Sequence, residues 1–227
     1  RLRAAGGSGD RVVKWVQKAL TVFLETGSGI ERTRAGSGWR TGRTGGSEIV
    51  SEMGNLTLMA DYNRWMNEQL YALAAPLGEV ALREDRGAFF GSLFGTFSHI
   101  LVADIIWLKR FARHPGCGAG LASLDRVAWP EALDAQPCAD FAALRERRGE
   151  LDALIAGWVP GLTPADLDQA LAYTNMKGEP GHRRFGSLLL HFFNHQTHHR
   201  GQITTLLSQA GVAVGVTDLL VRIPDQD

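Results

Sequence analysis

From Leu56 onward the chain is a succession of long segments whose apolar residues recur every three or four positions, each cut off by Pro or Gly. That period belongs to the α-helix, in which residues three and four apart share a face. Leu58, Met59, Tyr62, Trp65, Met66, Leu70 and Leu73 mark a first helix, about Leu56–Leu73, ended by Pro76 and Gly78. Phe90, Leu93, Phe94, Phe97, Leu101, Ile105 and Leu108 mark a second, about Ala88–Arg113. His114-Pro115-Gly116 closes it and opens a long loop through Pro137. A third helix, about Asp140–Trp158, carries Phe141, Leu144, Leu151, Leu154, Ile155 and Trp158 on one side. A fourth, about Phe185–Ala210, has Gly211 as its stop. Before it, Lys177-Gly178-Glu179-Pro180-Gly181 is turn chemistry between two short extended runs, which predicts a small β-hairpin. Val216–Ile223 reads as a last short helix before Pro224. Four long helices without sequence repeats predict an all-α fold, an antiparallel four-helix bundle with a hairpin before its last long helix.

The first 52 residues read differently. The stretch GSGIERTRAGSGWRTGRTGGS has no apolar period and the composition of a disordered segment. Only Val12–Leu24 has the pattern of a short amphipathic helix. The overall charge is zero, but residues 1–46 hold nine Lys/Arg against three Asp/Glu, a net +6, and residues 53–227 hold fifteen against nineteen, a net −4. Met53 is the first methionine, and the helical pattern begins just after it, so residues 1–52 are expected to be a non-native extension. The alternative is a true basic tail that contacts nucleic acid or a partner. A net-negative helical part argues against phosphate binding by the domain itself. No apolar run reaches the roughly 20 residues of a membrane span, and the first residues lack a secretory pattern. Cys117 and Cys138 are too sparse for a disulfide framework and read as free thiols of a cytoplasmic protein.

Four of the seven histidines fall within the nine residues 191–199. His191, His195 and His199 are spaced by four, so on a helix they stack along one face. Two imidazoles on adjacent turns can bind one metal ion. The zincin pattern HExxH is broken by Gln196, an amide that cannot act as its general base. The Glu-x-x-His pairs of a di-iron bundle are missing. What remains is a mononuclear site short of one ligand on this helix. His99, on the apolar side of the second helix, is the candidate third donor; a lone histidine there is otherwise a satisfied core residue. Three imidazoles with an open fourth position make a catalytic rather than a closed structural zinc arrangement. His191, a further turn away, could sit above the metal as an outer partner or be a half-buried polar residue. Asp104 could orient a histidine or be a surface carboxylate. His198 is rotated roughly 100° from the ligand face and points to solvent or a neighbouring helix. His114 and His182 fall in turns, and Arg200 and Gln202 read as local capping or pairing residues. Tyr62 and Trp65 read as core.

FSHILVADIIWLKRF together with NHQTHHRGQ, and LMADYNRWMNEQL upstream, resembles the DinB (damage-inducible) family of bacterial four-helix proteins, which is distinct from the DNA polymerase of the same name. The resemblance covers residues 53 to about 223. It implies a divalent metal, zinc or nickel most often, held by His99, His195 and His199 with water completing the shell, and a homodimer. Three imidazoles also suit iron or copper. Relatives of this fold include transferases and isomerases that bind a low-molecular-weight thiol on the metal for attack on an electrophile. The implied function is thus a metal-dependent thiol transferase, with a non-catalytic metal-binding stress protein as the alternative. Partners are then a small thiol or electrophile, with neither nucleic acid nor membrane.

Overall fold

The structure, a computed structural model, describes residues 46–225. The amphipathic stretch Val12–Leu24 and nearly all of the 1–52 segment lie outside the described residues. The rest is mostly helical. Four long helices, α1 (Gly46–Ala74), α3 (Leu93–Phe111), α5 (Phe141–Trp158) and α7 (Phe185–Gln209), carry about half of the described residues. Between them lie the short helices α2 (Gly78–Arg83), α4 (Gly118–Leu121) and α6 (Pro164–Asp168), and a hairpin of β1 (Ala170–Thr174) and β2 (Pro180–Arg184) directly before α7.

The third and fourth helices stand where the apolar spacing placed them. Asp140 caps α5 by accepting from the Ala143 N–H at 2.8 Å. Helix α7 ends where Gly211 takes φ 80°, a conformation that costs glycine little. The first helix begins earlier than the apolar pattern does, at Gly46, so residues 46–52 are helical. The second begins later. Phe89 and Phe90 extend the apolar period, but Ser92 is the N-cap, its Oγ accepting from the Gly95 N–H at 3.0 Å. Ala88–Gly91 instead forms a tight turn closed by an isolated bridge. In the tail, only Leu219–Arg222 is helical, as a single 3-10 turn. His182 lies on β2 rather than in the turn.

The hairpin is antiparallel, with Ala170 opposite Arg184 and Thr174 opposite Pro180. Its turn is held by Asn175, whose Oδ1 accepts from the N–H groups of Lys177 (2.9 Å) and Glu179 (3.0 Å). A two-stranded ribbon is marginal alone. Here Leu171 is buried, and the Tyr173 ring lies 5.3 Å from that of Trp107 on α3.

Helix α1 packs on α5 and α7, and α3 packs on α7 and α5. Their inward faces make one core that includes Met66, Leu70, Phe97, Leu101, Leu144, Ile155, Phe192 and Ile203. Each such side chain contributes about 1.5–3 kcal/mol on burial. No helix among the described residues is long and apolar enough to cross a membrane.

Candidate metal centre

His99 lies two turns into α3, and His195 and His199 lie one turn apart on α7. Packing of α3 against α7 brings the three rings together. His195 Nε2 is 3.3 Å from His99 Nε2 and 3.1 Å from His199 Nε2. His99 and His199 are buried, whereas His195 is half-buried and leaves one side of the cluster open.

Two hydrogen bonds fix which nitrogens face inward. His99 Nδ1 is 2.8 Å from the Leu133 carbonyl oxygen, and His199 Nδ1 is 2.8 Å from Gln202 Oε1. Both oxygens can only accept, so each Nδ1 carries the proton and each Nε2 turns a lone pair towards His195. A single proton on His195 Nε2 cannot serve both neighbours along good lines. A cation bound by all three lone pairs resolves the conflict. The separations agree, since two nitrogens each about 2.0–2.1 Å from one tetrahedral ion sit roughly 3.3 Å apart. The donors therefore fit a divalent ion, with the outer acceptors that metal-bound histidines usually have.

Burial, helped by neighbouring imidazoles, depresses the basicity of the cluster. His195 is pushed down to about 3, first by burial and then by the proximity of His199 and His99. His199 is pushed down to about 4 by burial, against the opposing pull of its bond to Gln202. His99 is lowered by burial too. All three are neutral, hence ligand-competent, at neutral pH.

Phe90, half-buried, covers one side of the cluster. Its ring stacks on His99 at 3.8 Å and meets His199 edge-on at 5.6 Å. The turn that carries it folds back on the first turn of α3, where the Phe90 carbonyl occupies the space a Cβ at Gly95 would need. A side chain at 95 would push Phe90 off the histidines.

A family model of the DinB family matches residues 53–225, which hold all three histidines and the hairpin. The chain belongs to the DinB family. It is similar to Protein DinB of Bacillus subtilis (strain 168), with 27% identity over 159 residues that cover 70% of this chain and 87% of the relative. No solved structure gives a significant match.

Within this DinB domain the other candidate residues fall outside the cluster. His191 is exposed, its ring edge-on to Trp107 at 5.1 Å and 6.1 Å from the His195 ring. Asp104 is neither on the surface nor bonded to a histidine: it is buried and accepts from Gln196 Nε2 (2.7 Å) and Arg148 Nη1 (2.6 Å). His198 is exposed, as its rotation on the helix predicts. His114 is buried, stacked on Phe185 at 4.4 Å. Tyr62 is core, and its hydroxyl donates to the Thr217 carbonyl at 2.7 Å.

Gln202 pairs locally, as its sequence position suggested, but the sequence reading did not name His199 as its partner; the Leu133 carbonyl was missed altogether. Gln202 lies three residues beyond His199 and so shares its face, a signal that was available. A backbone carbonyl 34 positions from His99 leaves none.

Proposed function

We propose that this DinB protein binds one divalent metal ion through His99, His195 and His199 and uses it to transfer a low-molecular-weight thiol to an electrophile. The observation that carries the reading is the convergence of three neutral Nε2 lone pairs, within 3.1–3.3 Å of one another across His195, on a site open along that side. Bound there, a divalent ion would lower the pKa of a small thiol and hold it as a thiolate.

The chain's own residues supply the setting. Leu133 and Gln202 orient two of the ligands, and the Phe90 ring packs against both. A groove of about 440 Å³ is lined by Gln202, Gln209 and Arg86, so that the two amides, and the guanidinium if it exchanges its 2.7 Å pairing with Glu84, could take the carboxylates of a small thiol. The protein's cysteines are poor nucleophiles. Burial pushes Cys117 up to about 12 and raises Cys138 as well, which favours a thiol from outside. The ion is read as zinc or nickel, with iron also suited to three imidazoles. The same reading takes the four long helices as an antiparallel bundle, and the molecule as a cytoplasmic homodimer with no call on nucleic acid or membrane.

Elemental mass spectrometry on the purified full chain, beside a His195→Ala/His199→Ala variant, tests the first half. About one divalent ion per chain, lost in the variant, is expected. A folded, metal-free wild type sinks the assignment. The metal-loaded protein is then assayed for loss of free thiol against small electrophiles. No turnover with any common cellular thiol would leave the metal site standing and refute the transferase.

A further inference from the structure

Helix α7 faces two ways. His195 and His199 point at His99, while Gln196 and Arg200, each one position on and hence about 100° around the helix, point into the core. From there a closed circuit of polar contacts runs through every long helix. Gln196 Nε2 donates to Asp104 Oδ2 on α3 at 2.7 Å. The same oxygen accepts from Arg148 Nη1 on α5 at 2.6 Å. Arg148 Nη2 lies 2.8 Å from Asp152 Oδ1, a close ion pair one turn along α5. Asp152 Oδ1 accepts from Asn63 Nδ2 on α1 at 2.9 Å, and Asn67 adds two more bonds at 3.0 and 3.1 Å. Arg200 Nη1 donates to Asn63 Oδ1 and returns the circuit to α7. All seven side chains are at most 2% exposed, and two Asp balance two Arg.

We propose that Asn63, Asp104, Arg148, Asp152, Gln196 and Arg200 form a positioning ring that sets the spacing of His99 from His195 and His199, and so how tightly the site takes a divalent ion; this rests on the metal reading above. Buried ion pairs add little stability over well-packed apolar residues of the same volume, so stability is a poor account of this array. Directed hydrogen bonds add to the apolar packing a further constraint on the rotation of each helix about its axis. The helix surface lies about 5–6 Å from the axis, so a 10° turn of α7 shifts a ligand atom by roughly 1 Å. Metal bond lengths tolerate only about 0.2 Å. Both helices that carry ligands, α3 and α7, are held by ring members, Asp104 on one and Gln196 and Arg200 on the other. The ring residues contact no ligand nitrogen, so they act through helix position alone.

The test uses the full chain and Co(II) as the probe, its affinity measured by chelator competition and its site geometry by the visible d–d spectrum. Gln196→Leu keeps all four charges and removes only the bond to Asp104; Arg200→Met opens the ring on the other side. Leu121→Ala, in the core on α4, is a control for general destabilisation. Both ring variants are expected to raise the Co(II) dissociation constant about tenfold, the lower end of what loss of a direct hydrogen-bond partner of a ligand costs, and to alter the spectrum. Leu121→Ala should change neither, whatever it does to the thermal midpoint. A folded Gln196→Leu with wild-type affinity and spectrum overturns the ring, as does equal weakening by Leu121→Ala. If Arg200→Met fails to fold, Gln196→Leu decides. A wild-type chain that takes up no Co(II) overturns the metal reading itself, and the ring with it.

Discussion

Gln202→Leu is the most direct probe of how the ligands are held. Gln202 touches the site through one bond, His199 Nδ1–H to Oε1 at 2.8 Å, and its side chain is half-buried. Leucine keeps the volume and removes the acceptor. Without it, the imidazole can place its proton on either nitrogen and turn about its outer bond, so only part of the population presents Nε2 to a metal. The lost bond also makes His199 a weaker donor, since its acceptor raises the basicity of the ring. Loss of such a partner costs about 10–100-fold in metal affinity, or roughly 1.4–2.7 kcal/mol. Folding without metal should suffer less, about 1 kcal/mol for one neutral hydrogen bond. A chromophoric chelator competing for zinc reads the first number, and urea denaturation of the metal-free protein reads the second. Leu133→Ala is the matched comparison. His99 is held by the backbone carbonyl of Leu133, and the side chain is 46% exposed, so its removal should change zinc affinity by no more than about threefold. Wild-type zinc affinity in folded Gln202→Leu, or equal weakening by Leu133→Ala, would refute the reasoning.

Two further outcomes follow from burial. In the folded state His195 is pushed down to about 3 and His199 to about 4, so protons on these two rings should not compete with metal between pH 7.5 and 5.5; their titration should change zinc affinity less than about threefold there, whereas two ordinary imidazoles would lose about a hundredfold, and burial lowers His99 in the same direction. For the metal-free protein the sign is the reverse of an ion-paired histidine. A depressed pKa means the unfolded chain binds more protons, so stability is full above about pH 6.5 and falls as pH drops towards 4–3, which denaturant midpoints across that range will show. Arg148→Met strands the buried carboxylates of Asp104 and Asp152 and should cost about 3–5 kcal/mol at pH 7.5. By calorimetry that is a fall of roughly 6–20 °C. Burial already raises Asp104 and pushes Asp152 up to about 6, and both rise further without the guanidinium. A carboxyl raised in the folded state loses stability as pH increases, so the deficit should shrink at pH 5; a deficit that is constant with pH would count against stranded charge as its cause.

Most of the helical fold was legible in the sequence because the information is local. The spacing of Phe141, Leu144, Leu151 and Ile155 with Asp140 before it leaves little choice but a capped helix, and the Asn175–Glu179 turn leaves little choice but a hairpin. Where the pattern misled, a second local signal overrode it: Phe89 and Phe90 continue an apolar period, yet Ser92 satisfies the first free N–H groups of α3 and the chain before it turns.

The histidine ladder shows the same division. Spacings of four put His195 and His199 on one face of α7 by helix geometry alone, and they put His191 there as well. Which of these rings gain a third partner was settled by the approach of α3, which brings His99 to His195 and His199 and leaves His191 against Trp107. The rotation of one helix against another is a property of their whole contact surface, so no spacing within either segment encodes it. For the same reason Asp104 read as a histidine partner or a surface carboxylate and Arg200 as a local group, although each bridges to another helix in the core. Sequence by itself determined which side chains each helix offers to its faces. Only tertiary packing decided which faces meet, because that choice minimises the free energy of the whole core at once.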